Sequence, residues 1–123
     1  MPSDKIEFIE AFKTRTKKFV VDNVRFYQSF PKTEEAKIVG RQLLRSSSSV
    51  GANYRAACRG RSKAEFYSKM CIVVEEADES VFWMESLIEA GIVSEFQISV
   101  LFTEAKEILA LVSRARKSTS DSK

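Results

Sequence analysis

Apolar residues return at helical spacing through most of this chain, and no segment alternates apolar with polar for the length of a strand. From about Lys5 to Ser29, Phe8, Phe12, Phe19, Val20, Val24 and Tyr27 recur at steps of three, four and seven, which predicts one face of a first helix. That helix stops at Phe30, because Pro31 disfavours helical geometry in the residue before it. Thr33 then offers an N-cap hydroxyl, and Glu34 and Glu35 lie at the positive end of the next helix dipole. The second helix is predicted to run to about Cys58 or Arg59.

Within it, Ser46, Ser47, Ser48, Ser49, Gly51, Ala52, Ala56 and Ala57 are small, so neighbouring backbones can approach closely. Such a segment forms helix poorly on its own, since each internal Gly costs about 1 kcal/mol against Ala. Tertiary contacts must hold it, which suits a central position. Ser62 with Glu65 has the form of a capping box and starts a third helix at Lys63. Along that helix Phe66, Met70, Val73, Ala77, Val81 (with Ser80 beside it), Met84 and Leu87 or Ile88 make a heptad seam. Gly91 fits the residue that closes a helix, and Ser94 with Gln97 repeats the capping form. A fourth helix follows with Phe96, Val100, Leu101, Ile108, Leu111 and Val112. The predicted fold is all-α, an antiparallel up-down-up-down four-helix bundle. It forms a single domain over residues 1–117, and the apolar-free tail 118–123 is expected to be disordered.

Composition leaves that picture standing and narrows the chemistry. The chain has 123 residues, 44% apolar and 30% charged, an ordinary globular balance. No apolar run approaches the ~20 residues of a membrane span, and the first residues lack the form of a secretory signal, so a cytoplasmic location is expected. Cys58 and Cys71 are the only cysteines and there is no His, which excludes the common structural zinc sites. Both are read as free thiols. The net charge of +3 hides a segregation: Lys37 to Lys69 carries eight bases and one acid, whereas Met70 to Glu95 carries seven acids and no base. The two blocks can neutralise one another, within a subunit or between subunits.

Three stretches, SFPKTEEAKIVGRQLLRS, SVGANYRAACRGRSKAEF and VEEADESVFW, together resemble the small bacterial four-helix bundle proteins of the 23S ribosomal RNA intervening-sequence type. The resemblance covers about Phe26 to Leu111. Ser49, Asn53, Arg61, Ser62 and Phe66 fall where that family places its serine, asparagine, arginine, cap serine and first core phenylalanine. Between Asn53 and Arg61 the family commonly has a Glu-Gly pair, which Arg55 to Cys58 replace here, so no role of that glutamate transfers. The resemblance implies a non-enzymatic protein that assembles as a homopentamer and has a link to RNA or DNA. Related bundles serve as accessory proteins of diversity-generating retroelements, where a basic surface contacts nucleic acid and reverse transcriptase.

Arg41, Arg45, Arg55, Arg59 and Arg61, with Lys63, are the candidate nucleic-acid contacts, because guanidinium groups bind phosphate bidentately and a stripe of them gives salt-dependent, sequence-tolerant affinity. The competing reading pairs these arginines with Glu75, Glu76, Asp78 and Glu79 in an ionic network inside or between subunits. Under it the protein is a purely protein-binding scaffold. A second basic cluster, Lys13, Arg15, Lys17 and Lys18, is read as a solvated face. Cys71, Ile72, Phe82 and Trp83, among Glu75 and Glu79, form a second apolar face on the third helix, the expected oligomer interface. Asn53 is expected to hydrogen-bond a neighbouring helix and fix its register. Tyr54, Phe66 and Tyr67 are read as core or interface rather than base-stacking residues. Carboxylate metal sites in bundles use Glu-x-x-His, which this chain cannot supply, so neither metal nor cofactor is expected. The serine run lacks a His to activate it, and no acid pair faces a pocket, so no enzyme activity is expected.

Overall fold

A computed structural model describes residues 2–121, which form four helices: α1 (Pro2–Gln28), α2 (Glu34–Cys58), α3 (Lys63–Glu89) and α4 (Glu95–Asp121). No strand occurs among the described residues. Consecutive helices pack side by side as an antiparallel bundle, with α2 and α3 in the most intimate contact and α1 and α4 scarcely touching. α2 therefore sits between α1 and α3.

Local chemistry sets the boundaries. Thr33 Oγ1 accepts the Ala36 N–H at 3.3 Å, and Ser62 Oγ accepts the Glu65 N–H at 3.1 Å. The Glu65 carboxylate reaches one residue further back than a regular capping box would place it, to the Arg61 N–H at 3.4 Å. Ser94 and Gln97 do close the reciprocal box, at 2.9 and 3.1 Å. α3 ends in a Schellman motif: Gly91, at φ +72°, donates to Ile88 O and Ile92 donates to Leu87 O. A left-handed residue there favours glycine.

Most of the α3 seam is buried as the heptad predicts, with Met70, Val73, Ala77, Met84 and Leu87 in the core, but Ser80 takes the buried place expected of Val81, which like Phe66 is half-buried. Facing the seam on α2 are Leu43, Ser46, Ser47, Val50, Tyr54 and Ala57. The hydroxyls of Ser46 and Ser80 meet at 3.0 Å, both fully buried, so the two helix backbones approach through small side chains. On the other side of α2, a Cβ built at Gly51 would stand 2.6 Å from Val20 Cγ2 and 3.3 Å from the Thr16 carbonyl oxygen. Small residues on α2 are the condition for packing both neighbours.

α1 and α4 keep only part of their predicted faces, Phe12 and Phe19 on one and Ile108 and Val112 on the other. On α1 the buried line is Phe12, Thr16, Phe19 and Asn23, at steps of four, three and four, while Phe8 and Val24 are exposed. Two of its four positions are polar, so an apolar search registers only Phe12 and Phe19. Thr16 donates to Lys13 O at 3.1 Å and Asn23 Nδ2 to Phe19 O at 2.8 Å. On α4 the buried line is Ile98, Ala105, Ile108 and Val112. Phe96 and Val100 lie on the opposite side, 91% and 84% exposed. α4 also continues to Asp121, four residues past the expected end of the domain, and Thr119 donates to Ala115 O at 2.9 Å. No proline or glycine interrupts that last segment. Residues 122–123 lie outside the described residues.

Candidate functional site

Basic side chains gather in two regions of the bundle, which share Arg59. The first is the turn between α2 and α3, where Arg59, Arg61 and Lys63 are exposed within five positions of one another. None of them has a carboxylate at ion-pair distance among the described residues. Arg55, one helical turn before Arg59, is likewise exposed and unpaired. Arg41 is exposed too, but 14 residues from Arg55 on the same helix it lies about 21 Å away at 1.5 Å per residue. The structure does not bring it to the corner.

Arg45 stands apart, because it is already occupied. Its guanidinium contacts Glu76 at 3.2 Å and also pairs with Glu79. Glu79 in turn accepts a hydrogen bond from Trp83 Nε1 at 3.0 Å. One pairing expected between the basic and acidic blocks is therefore made inside the subunit, by α2 and α3.

The second region is a groove of about 800 Å3 between α1 and α2. Lys13, Lys17, Lys18 and Arg25 line it from α1, and Arg55 and Arg59 from α2. Its floor holds Val20, Val21, Ser48, Gly51 and Ala52, so it exists because α2 is short of side chains at this level. Two of the lysines have acidic partners on their own helix, Lys13 with Glu10 at 2.8 Å and Lys18 with Asp22 at 2.7 Å. Lys17, Arg25, Arg55 and Arg59 have none among the described residues. Lys17, expected on a solvated face, lines the groove, and so does Arg25, which lies outside the expected basic cluster. The signal was present: Lys17, Val21 and Arg25 repeat every four residues, which is one side of α1. Arg15 turns the other way, to Glu104 on α4 at 2.6 Å through two guanidinium nitrogens and to Glu107 at 2.8 Å.

A family model matches most of the chain. Residues 11–114 fit that of the 23S rRNA-intervening sequence proteins. The chain belongs to this family. Among solved structures, one similar chain is a protein of unknown function from the S23 ribosomal protein family of Bacteroides thetaiotaomicron. It is 30% identical, with a TM-score of 0.79 over 85% of this chain and 97% of that one. No curated protein matches the chain.

In this intervening-sequence protein the acidic block lies along α3. Glu75, Asp78, Glu85 and Glu89 are exposed and have no ion-pair partner among the described residues. Phe82 stands between them, 53% exposed, with its ring 4.8 Å edge-on to Trp83. Ile72 is also exposed, whereas Cys71 and Trp83 are half-buried. Of the four apolar residues expected there, Phe82 and Ile72 are thus open to solvent, while Trp83 packs partly against the core.

Asn53 does not reach a neighbouring helix. Its Nδ2 donates to Ser49 O at 3.0 Å and to Ser49 Oγ at 2.8 Å, both one turn back on α2. The short amide satisfies itself locally in a helix that already offers a hydroxyl at that spacing. The fully buried asparagine is Asn23, whose Oδ1 has no partner. Tyr54 and Cys58 lie one turn apart on α2, and burial is the main cause that pushes the pKa of both upward. Both cysteines are free thiols. Among the described residues no acid or thiol cluster could hold a metal ion, and no helix is long and apolar enough to cross a membrane.

Proposed function

We propose that this protein is a non-enzymatic, self-associating cytoplasmic bundle that holds nucleic acid by its phosphates through Arg59, Arg61 and Lys63. One observation carries the reading: these three cations crowd an exposed corner without a carboxylate partner, whereas Arg45, equally basic, is neutralised by Glu76 and Glu79. Unpaired guanidinium and ammonium groups gain more from phosphate than groups already paired. No exposed aromatic residue accompanies the corner, which favours backbone contacts blind to base sequence over stacking. The family resemblance supports five copies around an axis, so that the corners present several equivalent cation clusters to one strand. Such multivalency raises affinity without new contacts.

The test is fluorescence anisotropy with labelled RNA and DNA oligonucleotides at 50 and 200 mM salt. Three phosphate contacts give a fall in affinity of about 20-fold over that range. Arg61→Glu with Lys63→Glu abolishes binding and leaves helicity unchanged. Absent or salt-independent binding by the unaltered protein overturns the reading.

A second reading has its own observation, the unpaired exposed acids Glu75, Asp78, Glu85 and Glu89 on α3. In it the basic and acidic blocks meet across subunits and the protein is a scaffold without nucleic acid. The Arg61 and Lys63 reversals then change the assembled mass instead of nucleic-acid binding.

A further inference from the structure

We infer that copies of this chain dock head to tail, the acidic stripe of α3 on one copy lying in the α1–α2 groove of the next. The inference rests on the self-association in the reading above and is independent of its phosphate contacts.

Three features of the molecule match. The first is the stripe itself. Glu75, Asp78, Phe82, Glu85 and Glu89 follow one another at steps of three, four, three and four and are all exposed. This is a second heptad line on α3, turned away from the bundle, with carboxylates at four positions and an aromatic ring at the middle one. A helix displaying such a line is suited to lie lengthwise in a trough, as amphipathic helices do in helix-in-groove recognition.

The second is length. The stripe covers 14 residues, or about 21 Å of helix at 1.5 Å per residue. The α1 wall of the groove runs from Glu10 to Arg25, or about 22 Å by the same measure. Its lining includes Val20, Val21, Gly51 and Ala52, small and apolar ground on which Phe82 would rest.

The third is charge. Three groove cations outside the phosphate corner lack a partner, Lys17, Arg25 and Arg55, and four stripe carboxylates lack one. Within one chain they cannot meet, because the groove opens between α1 and α2 while the stripe faces outward on α3. Two different surfaces pairing in this way make a heterologous contact, which closes into a ring when the rotation per copy permits. Complementary charge fixes the register, and Phe82 supplies the buried anchor. The corner residues Arg61 and Lys63 lie outside the groove lining and stay open to phosphate.

Light scattering on charge-reversed variants tests the contact, without nucleic acid present. Lys17→Glu with Arg25→Glu removes the groove's attraction, and Glu75→Lys with Glu85→Lys removes the stripe's. Each pair raises the dissociation constant of the assembly at least about tenfold. Combining all four changes in one chain restores assembly, because the reversed stripe again meets an opposite groove. Phe82→Ser, at an exposed position, also lowers the assembled mass and serves where a reversed variant loses helicity. The inference is overturned if either reversed pair keeps the unaltered mass, if the four-fold variant stays dissociated, or if the unaltered protein is a single copy at every concentration. Because none of these readouts involves nucleic acid, failure here leaves the phosphate test standing, and failure there leaves this one.

Discussion

Arg15 on α1 grips Glu104 on α4 with two hydrogen bonds of 2.6 Å, across the one side of the bundle where the helices scarcely touch. Glu107 adds a third at 2.8 Å. Elsewhere apolar packing joins neighbouring helices, but here an ionic clasp spans a seam that is otherwise a groove lined by Phe19, Phe26, Val100 and Leu101. The hydrogen bond to Glu104 is the main reason the Arg15 pKa is raised.

Both partners are about a third exposed, so water screens the pair and its contribution to stability is about 1 kcal/mol. Arg15→Ala lowers the denaturant midpoint accordingly, and Glu104→Gln does so by less, because the amide keeps one acceptor. A double variant no worse than Arg15→Ala alone identifies the clasp as the cause. Additive losses identify separate effects.

Gly51→Ala is a sharper test of the packing between α1 and α2. Helix propensity alone predicts a gain of about 1 kcal/mol. The new methyl group would stand 2.6 Å from the stiff Val20 side chain and 3.3 Å from the Thr16 carbonyl, so α1 must move outward. Overpacking of this kind costs about 1–3 kcal/mol and outweighs the propensity gain. A fall in Tm is expected, and a rise means that the two helices are further apart than described.

Alkaline pH tests the environment of Tyr54 and Cys58. Burial raises the pKa of both groups in the folded chain. Each therefore supports the fold fully below its unfolded pKa, and that support is lost as pH climbs from there towards the folded value. The unfolded thiol titrates near 9.0 and the unfolded phenol near 10.0, so Tm begins to fall at about pH 9 and falls further above pH 10. Tyr54→Phe with Cys58→Ala flattens that dependence. Equal slopes in the variant and the unaltered protein would assign the loss to other groups.

The features legible in the sequence are those decided within a few residues. Thr33, Ser62, Gly91 and Ser94 cap their helices because cap geometry depends on immediate neighbours. The α3 seam was legible because its buried line is unbroken by polar residues other than Ser80. What escaped depends on how helices rotate against each other. Asn23 belongs to the buried line of α1 although its amide argues for the surface, and Phe96 and Val100 belong to the outside of α4 although their side chains argue for the core. The site divided the same way. Unpaired arginines at the α2–α3 corner follow from a local run of bases, whereas the bond that removes Arg45 from the set spans 31 and 34 residues of chain. The groove escaped because its cations come from two helices and its floor is marked only by missing side chains.

The most direct check on the corner is the dependence of nucleic-acid affinity on salt, measured for the unaltered protein and for Arg59→Ala, Arg61→Ala, Lys63→Ala. Each lost phosphate contact reduces the log–log slope by about 0.7 on a single strand, so the triple variant is expected to lose about 2 from its slope per bound subunit. A slope identical in both proteins contradicts the account, because phosphate would then be held somewhere other than at Arg59, Arg61 and Lys63.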